Sequence, residues 1–220
     1  MTQKVPVNIS LSGTFLVILP IGGDVLSHYF TTDNTPHEFS EIKFSFNDHV
    51  YRFKTDRGVF SKNQIDYGTE VLIRTVFSDF KGSGKFIDMG AGYGPIGTVL
   101  GKELELSPVM VEVNDDAVQL SIENTRRENV DADVLDRESY NDMPLNVPLY
   151  VTNPPFRAGK ETVLEMLNDG FKRLEKEGEF YMVVQKKQGM ASYKKHLKSL
   201  FGNVKIAAKD KGYYILKSTK

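Results

Sequence analysis

The chain has no cysteine in its 220 residues, which excludes disulfides and a thiolate metal site. Histidine is scarce: there are four, none paired at ligand spacing, so no metal centre is expected. No excess of one charge exists, with 28 Lys and Arg against 29 Asp and Glu and a formal net charge of −1. Internal repeats, low-complexity linkers and signs of a second domain are also missing. An apolar run near the start, Phe15-Leu16-Val17-Ile18-Leu19, is cut by Pro20 and Gly22-Gly23. It is too short to span a bilayer, and its flanks suit a secretory signal poorly. Residues 1–27 are therefore read as an N-terminal extension, with two readings open. The extension packs as a strand, or translation naturally begins near Val25.

What is present is ordinary globular material: 40% hydrophobic and 26% charged residues, in a chain long enough for one sizeable core. Residues 41–54 alternate, with Ile42, Phe44 and Phe46, then Val50, Tyr51 and Phe53, on either side of Asn47-Asp48. That pattern predicts a β-hairpin. Gly58 to Lys62 form a loop into a helix over about 66–80, and Lys81-Gly82-Ser83-Gly84 break it. Strands are then predicted near 85–89, 109–113, 132–135, 148–152, 179–185, 204–208 and 212–217. They alternate with helices near 95–104, 115–128, 160–175 and 190–200. Such alternation means an α/β fold with a parallel sheet covered by helices on both faces. The last two strands are joined too tightly for a crossover, so at least one runs antiparallel.

Two stretches carry chemistry. Phe86-Ile87-Asp88-Met89 leads into Gly90-Ala91-Gly92-Tyr93-Gly94, and a helix-compatible stretch follows. In open α/β sheets a strand–glycine loop–helix turn is where nucleotide-like ligands bind. Val109-Met110-Val111 ends in Glu112, about 20 residues past the loop, the offset of a carboxylate that grips ribose hydroxyls. The glycine spacing departs from the dinucleotide fingerprint. The second stretch is Asn153-Pro154-Pro155-Phe156, placed where the strand through Leu149-Tyr150-Val151 ends. Consecutive prolines fix φ and remove N–H donors, and each holds the residue before it extended. The corner should offer an amide side chain, an unpaired carbonyl and an aromatic face, a set that suits a planar NH2 group. A plain proline turn with a packing Phe is the alternative. Beyond it, Gln185 to Lys220 hold ten Lys and one acid, Asp210, interleaved with Tyr193, Phe201, Tyr213 and Tyr214. Such a surface can hold phosphates. Solvated, edge-protecting lysines are the bland reading.

The ordered set Gly58–Lys62, Asp66-Tyr67-Gly68, Asp88–Gly97, Val113-Asn114, Ala117-Val118, Asn153–Lys160, Gln185–Gly189 and Lys211–Tyr214 resembles the class I S-adenosylmethionine-dependent methyltransferases. Within that class it is most similar to the RsmC-type small-subunit ribosomal RNA guanine-N2 methyltransferases, in particular their short single-domain relatives. The likeness runs from about His28 to the C-terminus, so residues 28–220 are taken as the transferase domain. Ala91 stands where many relatives have Cys, and Glu112 where Asp is common.

The resemblance implies a doubly wound, mostly parallel seven-stranded sheet with an antiparallel end, S-adenosylmethionine as cofactor, a cytoplasmic setting, and ribosomal RNA or the small ribosomal subunit as partner. It implies that Asp88, Gly90, Ala91, Gly92, Tyr93 and Gly94 approach the amino-acid part of the donor. Glu112 takes its ribose, and Val113 and Asn114 lie beside the adenine. Glu138, or Asp136 in its place, accepts from the adenine amine. Asn153, Pro154, Pro155 and Phe156 are the expected catalytic set, with Asn153 also close to the donor. Arg157, Lys160, Lys186 and Lys187 are the expected RNA contacts. Guanine N2 is the expected acceptor. Adenine N6 and a protein glutamine amide present the same planar NH2 and stay open, as does a donor-binding module without turnover.

Overall fold

A computed structural model of the chain describes residues 38–56 and 64–220. The expectations for residues 1–27 and for the loop Gly58–Lys62 lie outside the described residues. The predicted hairpin is present as β1 (Phe39–Phe46) and β2 (His49–Asp56), paired antiparallel from Phe39↔Asp56 to Phe46↔His49. Asn47 makes the turn with φ +49°, a left-handed conformation that Asn tolerates better than most residues. Ile42, Phe44, Phe46, Tyr51 and Phe53 are buried while Lys43, Ser45 and Arg52 are exposed, as period-two alternation requires, and Val50, read with the apolar set, falls on the exposed face.

Helix α1 (Tyr67–Asp79) follows, then β3 (Lys85–Met89), α2 (Pro95–Glu103), β4 (Ser107–Val111), α3 (Asp115–Arg127) and β5 (Asp133–Leu135). A short α4 (Arg137–Asn141) leads to β6 (Val147–Thr152), α5 (Lys160–Arg173), β7 (Leu174–Gln185), α6 (Met190–Phe201), β8 (Lys205–Asp210) and β9 (Tyr213–Thr219). The main sheet has seven strands in the order β5-β4-β3-β6-β7-β9-β8. All neighbours run parallel as far as β7, and β9 lies antiparallel between β7 and β8.

Alternate residues of each strand feed opposite cores. Phe86, Leu149, Val151, Tyr181, Val183 and Ile215 join the hairpin and helices α1, α2 and α3 on one face. Ile87, Tyr150, Phe180, Met182, Val184 and Leu216 join α4, α5 and α6 on the other. Strands buried on both faces read as continuous apolar runs, which is why β3, β4 and β6 stand out in the sequence.

The structure differs from the expected elements in two places. Strand β7 starts at Leu174 rather than near 179, and its pairing with β6 shifts register between Val147 and Leu149. Its first residues, Leu174-Glu175-Lys176-Glu177-Gly178, lack apolar alternation, so nothing in the local pattern announces a strand. Helix α4 was not expected, because five residues are too few to show a helical period.

The strand order positions the site. From β3 the chain moves outward to β4 and β5, then returns to β6 on β3's other side. The loops after β3 and β6 therefore diverge, and the crevice between them is the topological switch point of the sheet.

Candidate active site

The loop after β3 is held by main-chain bonds. The N–H groups of Gly90 and Ala91 both donate to the Val111 carbonyl, at 2.9 and 3.1 Å, and Gly94 N–H donates to Ala91 O at 3.0 Å. Gly90, Gly92 and Gly94 adopt φ of +75°, +59° and +92°. A side chain at Gly94 would also collide with Met110, whose Cε lies 2.7 Å from where a Cβ would sit. From α3, Ser121 Oγ donates to Gly92 O at 2.7 Å and Asn124 Nδ2 donates to Tyr93 O at 2.8 Å. Asn124 also bonds both backbone groups of Lys54, which ties the hairpin to the loop.

Asp88 is fully buried at the end of β3 and does not line the crevice. Its Oδ2 accepts from Gly97 N–H at 2.8 Å, which fastens the first turn of α2 to the strand. Its Oδ1 has no partner among the described residues. Burial pushes its carboxyl up to about 7; the Gly97 bond opposes this and the nearby Glu112 charge adds to it.

Glu112 stands just past β4 and lines the crevice. Its Oε2 accepts from Gly92 N–H at 2.8 Å, and its Oε1 from the N–H groups of Val113 and Asn114 at 2.8 and 3.1 Å. A carboxylate has about four acceptor positions, so capacity for a ligand hydroxyl remains. Val113 lies beside it, 77% exposed, an apolar surface open at the crevice wall. Asn114 caps α3 by accepting from Ala117 N–H at 2.9 Å and does not line the crevice. Glu138 is exposed in the first turn of α4 and also lies off the lining. Asp136 caps that helix by accepting from Ser139 N–H at 2.7 Å. Arg137, between the two, lines the crevice instead.

On the opposite wall stand Asn153, Pro154 and Pro155. The pairing Met89↔Thr152 brings this corner beside the glycine loop, and Thr152 Oγ1 donates to Met89 O at 2.8 Å. The Asn153 amide donates through Nδ2 to Thr69 Oγ1 at 2.8 Å and to Asp66 Oδ2 at 3.3 Å. None of the described residues donates to its Oδ1. Two features depart from the sequence reading. The Pro154 carbonyl is not unpaired: it accepts from Phe156 N–H at 2.9 Å, because a short 3₁₀ turn, Phe156–Ala158, begins there. One lone pair remains for a ligand. The Phe156 ring lies against Tyr193, centroids 5.8 Å apart, and does not line the crevice. Arg157 and Lys160 are exposed at this turn and at the start of α5, and Lys186 and Lys187 are exposed in the turn after β7. All four lie at the carboxyl end of the parallel strands, outside the crevice lining, and form no ion pair among the described residues.

The crevice is a cavity of about 460 Å³, within the usual size of small-molecule sites. It brings together Gly90, Ala91, Gly92, Tyr93, Glu112, Val113, Asn153, Pro154 and Pro155 from the expected set. Asp66, Thr69, Thr162, Glu165 and Met166 complete its wall without having been singled out as site residues. The Asp66-Tyr67-Gly68 motif was the one available hint. A larger, more open depression of about 700 Å³ lies between the hairpin and α3, where Lys54 and Arg127 are each paired with Glu123.

A glycine loop and an Asn-Pro-Pro corner facing each other across the switch point of such a sheet define a Rossmann-like methyltransferase. Residues 50–217 match the family model described as Methyltransferase small domain, and the chain belongs to that family. It is 38% identical over 174 residues to the uncharacterized protein YbxB of Bacillus subtilis (strain 168), covering 77% of this chain and 86% of that one. It is 29% identical over 196 residues to ribosomal RNA small subunit methyltransferase C of Aliivibrio fischeri (strain ATCC 700601 / ES114), covering 86% of this chain and 56% of that enzyme. Among solved structures, the T. thermophilus 16S rRNA N2 G1207 methyltransferase (RsmC) in complex with AdoMet and guanosine superposes with a TM-score of 0.75 at 23% identity. That match covers 84% of this chain and 51% of the other, and it shows the shared fold. The chain thus spans about half the length of the two named ribosomal RNA enzymes.

Proposed function

We propose that residues 28–220 transfer a methyl group from S-adenosylmethionine to an exocyclic amine, that of guanine N2 in small-subunit ribosomal RNA, in the cytoplasm where the donor is made. The carrying observation is the Asn153 amide. Its nitrogen is spent on Thr69 and Asp66, so what it offers a ligand is an acceptor. An acceptor at a rigid corner suits a group that donates, as a planar NH2 does.

The residues fit the donor. The glycine loop gives a wall without side chains, Glu112 a carboxylate with spare acceptor capacity, and Val113 an exposed apolar face. Bound there, S-adenosylmethionine supplies a methyl group already activated on a sulfonium, so the protein's task is alignment. An aromatic amine is a poor nucleophile because its lone pair is delocalised into the ring. Asn153 Oδ1 and the remaining lone pair of Pro154 O would accept hydrogen bonds from its two N–H groups, hold the nitrogen lone pair toward the methyl, and stabilise the positive charge that develops on nitrogen until one N–H proton passes to water and the donor departs as a neutral thioether. The base leaves any helical stack to reach this corner. Arg157, Lys160, Lys186 and Lys187 lie where flanking phosphates would run. The similarity to the two ribosomal RNA enzymes supports this choice of acceptor.

The test is transfer of labelled methyl to ribosomal RNA, DNA and protein, followed by mapping of the modified nucleotide in cells lacking the protein. Loss of a guanine N2 methyl from small-subunit RNA is expected. Label appearing only in DNA or protein rejects the acceptor, and donor binding with no transfer to any of the three rejects the activity.

A further inference from the structure

The Asp66-Tyr67-Gly68-Thr69 segment lies against Asn153 and takes up its amide nitrogen. Asp66 caps α1, its Oδ2 accepting from Thr69 N–H at 3.1 Å. The same oxygen accepts from Asn153 Nδ2 at 3.3 Å, and Thr69 Oγ1 accepts from that nitrogen at 2.8 Å. Both residues line the cavity. Gly68 makes the arrangement possible, since a Cβ there would sit 2.9 Å from Asp66 Oδ2 and 2.7 Å from the Tyr213 ring.

An amide side chain is nearly symmetric in shape and opposite in polarity at its two ends. Rotated by half a turn, Asn153 would present an NH2 to the ligand and set its own oxygen against the Asp66 carboxylate, which only accepts. That orientation is repulsive, and the observed one gains a charge-assisted bond.

We infer that Asp66 and Thr69 are positioning residues that lock the Asn153 amide with its oxygen available to the ligand, and so select substrates whose reacting group is a hydrogen-bond donor. The segment is thereby a specificity device: Asp66 supplies the polarity, Thr69 the second anchor, and Gly68 the room. This deepens the proposed function and rests on it for the identity of the substrate.

The experiment compares Thr69→Val, which keeps the shape and loses the hydroxyl, with Thr69→Ser, which restores the hydroxyl, each alone and combined with Asn153→Ala. With ribosomal RNA as acceptor, Thr69→Val is expected to lower kcat about tenfold to a hundredfold, with donor affinity within about twofold. Thr69→Ser should recover most of the loss. In the Asn153→Ala background Thr69→Val should cost nothing more, because the group it positions is gone. Additive losses, or a Thr69→Ser variant as poor as Thr69→Val, overturn the inference. A second readout needs no acceptor. The Asn153 side-chain NH2 resonances, assigned by their disappearance in Asn153→Ala, should be protected from solvent exchange in the wild type and exposed in Thr69→Val. An unprotected wild-type amide overturns the inference whatever the substrate proves to be. A protected amide with no methyl transfer rejects the functional reading and leaves the lock standing.

Discussion

The two walls of the crevice are built from different materials. On the β3–β4 side, almost every contact involves main chain: Asp88 and Glu112 accept from backbone N–H groups, and the glycine loop hangs on the Val111 carbonyl. On the β6–β7 side, the decisive contacts are between side chains. Asn153 is oriented by Thr69 and Asp66, and Phe156 rests on Tyr193. A wall of main chain recognises a ligand common to many sequences and is hard to retune. A wall of side chains can be changed one residue at a time; on the proposed function the first is the donor wall and the second, the acceptor wall, chooses the acceptor. The sharpest way to break this division is Asn153→Ala. The corner keeps its shape but loses the acceptor, so turnover should fall about 10²- to 10³-fold, with donor affinity nearly unchanged. Titration calorimetry beside steady-state kinetics checks this; an equal loss in both quantities would put Asn153 on the donor wall.

Next in size is a pH effect confined to the donor wall. Asp88 is buried with one oxygen unpartnered, and its carboxyl is pushed up to about 7. A group raised in the folded state contributes stability that is full below its unfolded value and is lost as pH rises through the folded one. Asn at this position mimics the protonated acid and keeps an acceptor for Gly97 N–H. Relative to the wild type, Asp88→Asn should therefore gain stability as pH rises from about 4 to about 7. Urea midpoints across that range measure it. A parallel pair of curves would mean that the folded carboxylate is not destabilised.

The division also explains what the sequence disclosed. The donor wall follows from local features: an apolar run, three glycines, and an acid at the end of the next strand. Each acts within its own turn, so the pattern is visible in one dimension. The acceptor wall depends on partners brought together by topology. Thr69 and Asp66 lie 84 and 87 residues from Asn153, and nothing near the Asn-Pro-Pro corner names them. The Phe156 ring was expected to offer an open aromatic face at the corner, but its packing on Tyr193 is decided by where α6 falls. The Pro154 carbonyl was expected to be free, because two prolines do not reveal the 3₁₀ turn that follows them. Charge hid the early part of β7, and shortness hid α4. The central strands were legible, since strands buried on both faces announce themselves, but the order in which the seven lie side by side was not read from the sequence and comes from the structure.

A smaller effect should separate the two functions of the donor wall. Glu112 braces Gly92 and its own following turn, and it has acceptor capacity left over. Glu112→Ala should weaken donor binding about tenfold to a hundredfold, the worth of a charge-assisted bond, with kcat at saturating donor much less affected. Glu112→Gln keeps an acceptor oxygen and a similar arm, so it should fall between. If Glu112→Gln binds the donor as poorly as Glu112→Ala, the charge matters more than the hydrogen bond, and unchanged affinity in both variants counts against the ribose assignment.

The smallest effect belongs to the rim. Lys186 and Lys187 are exposed and outside the crevice lining, and the proposed function gives them RNA phosphate to meet away from the chemistry. A lysine that meets a phosphate releases a condensed counterion, and that release appears as salt dependence. Replacing both by Ala should weaken RNA binding a few-fold at moderate salt and make the dependence of log K on log salt shallower by roughly 1.4, as expected for two contacts to a single strand. Donor affinity and kcat at saturating RNA should stay near wild type. A slope that does not change removes both lysines from the interface and moves the RNA path toward Arg157 and Lys160 on the other side of the corner. A slope that changes together with donor affinity would join the two walls into a single binding unit, because a rim charge would then be felt across the crevice.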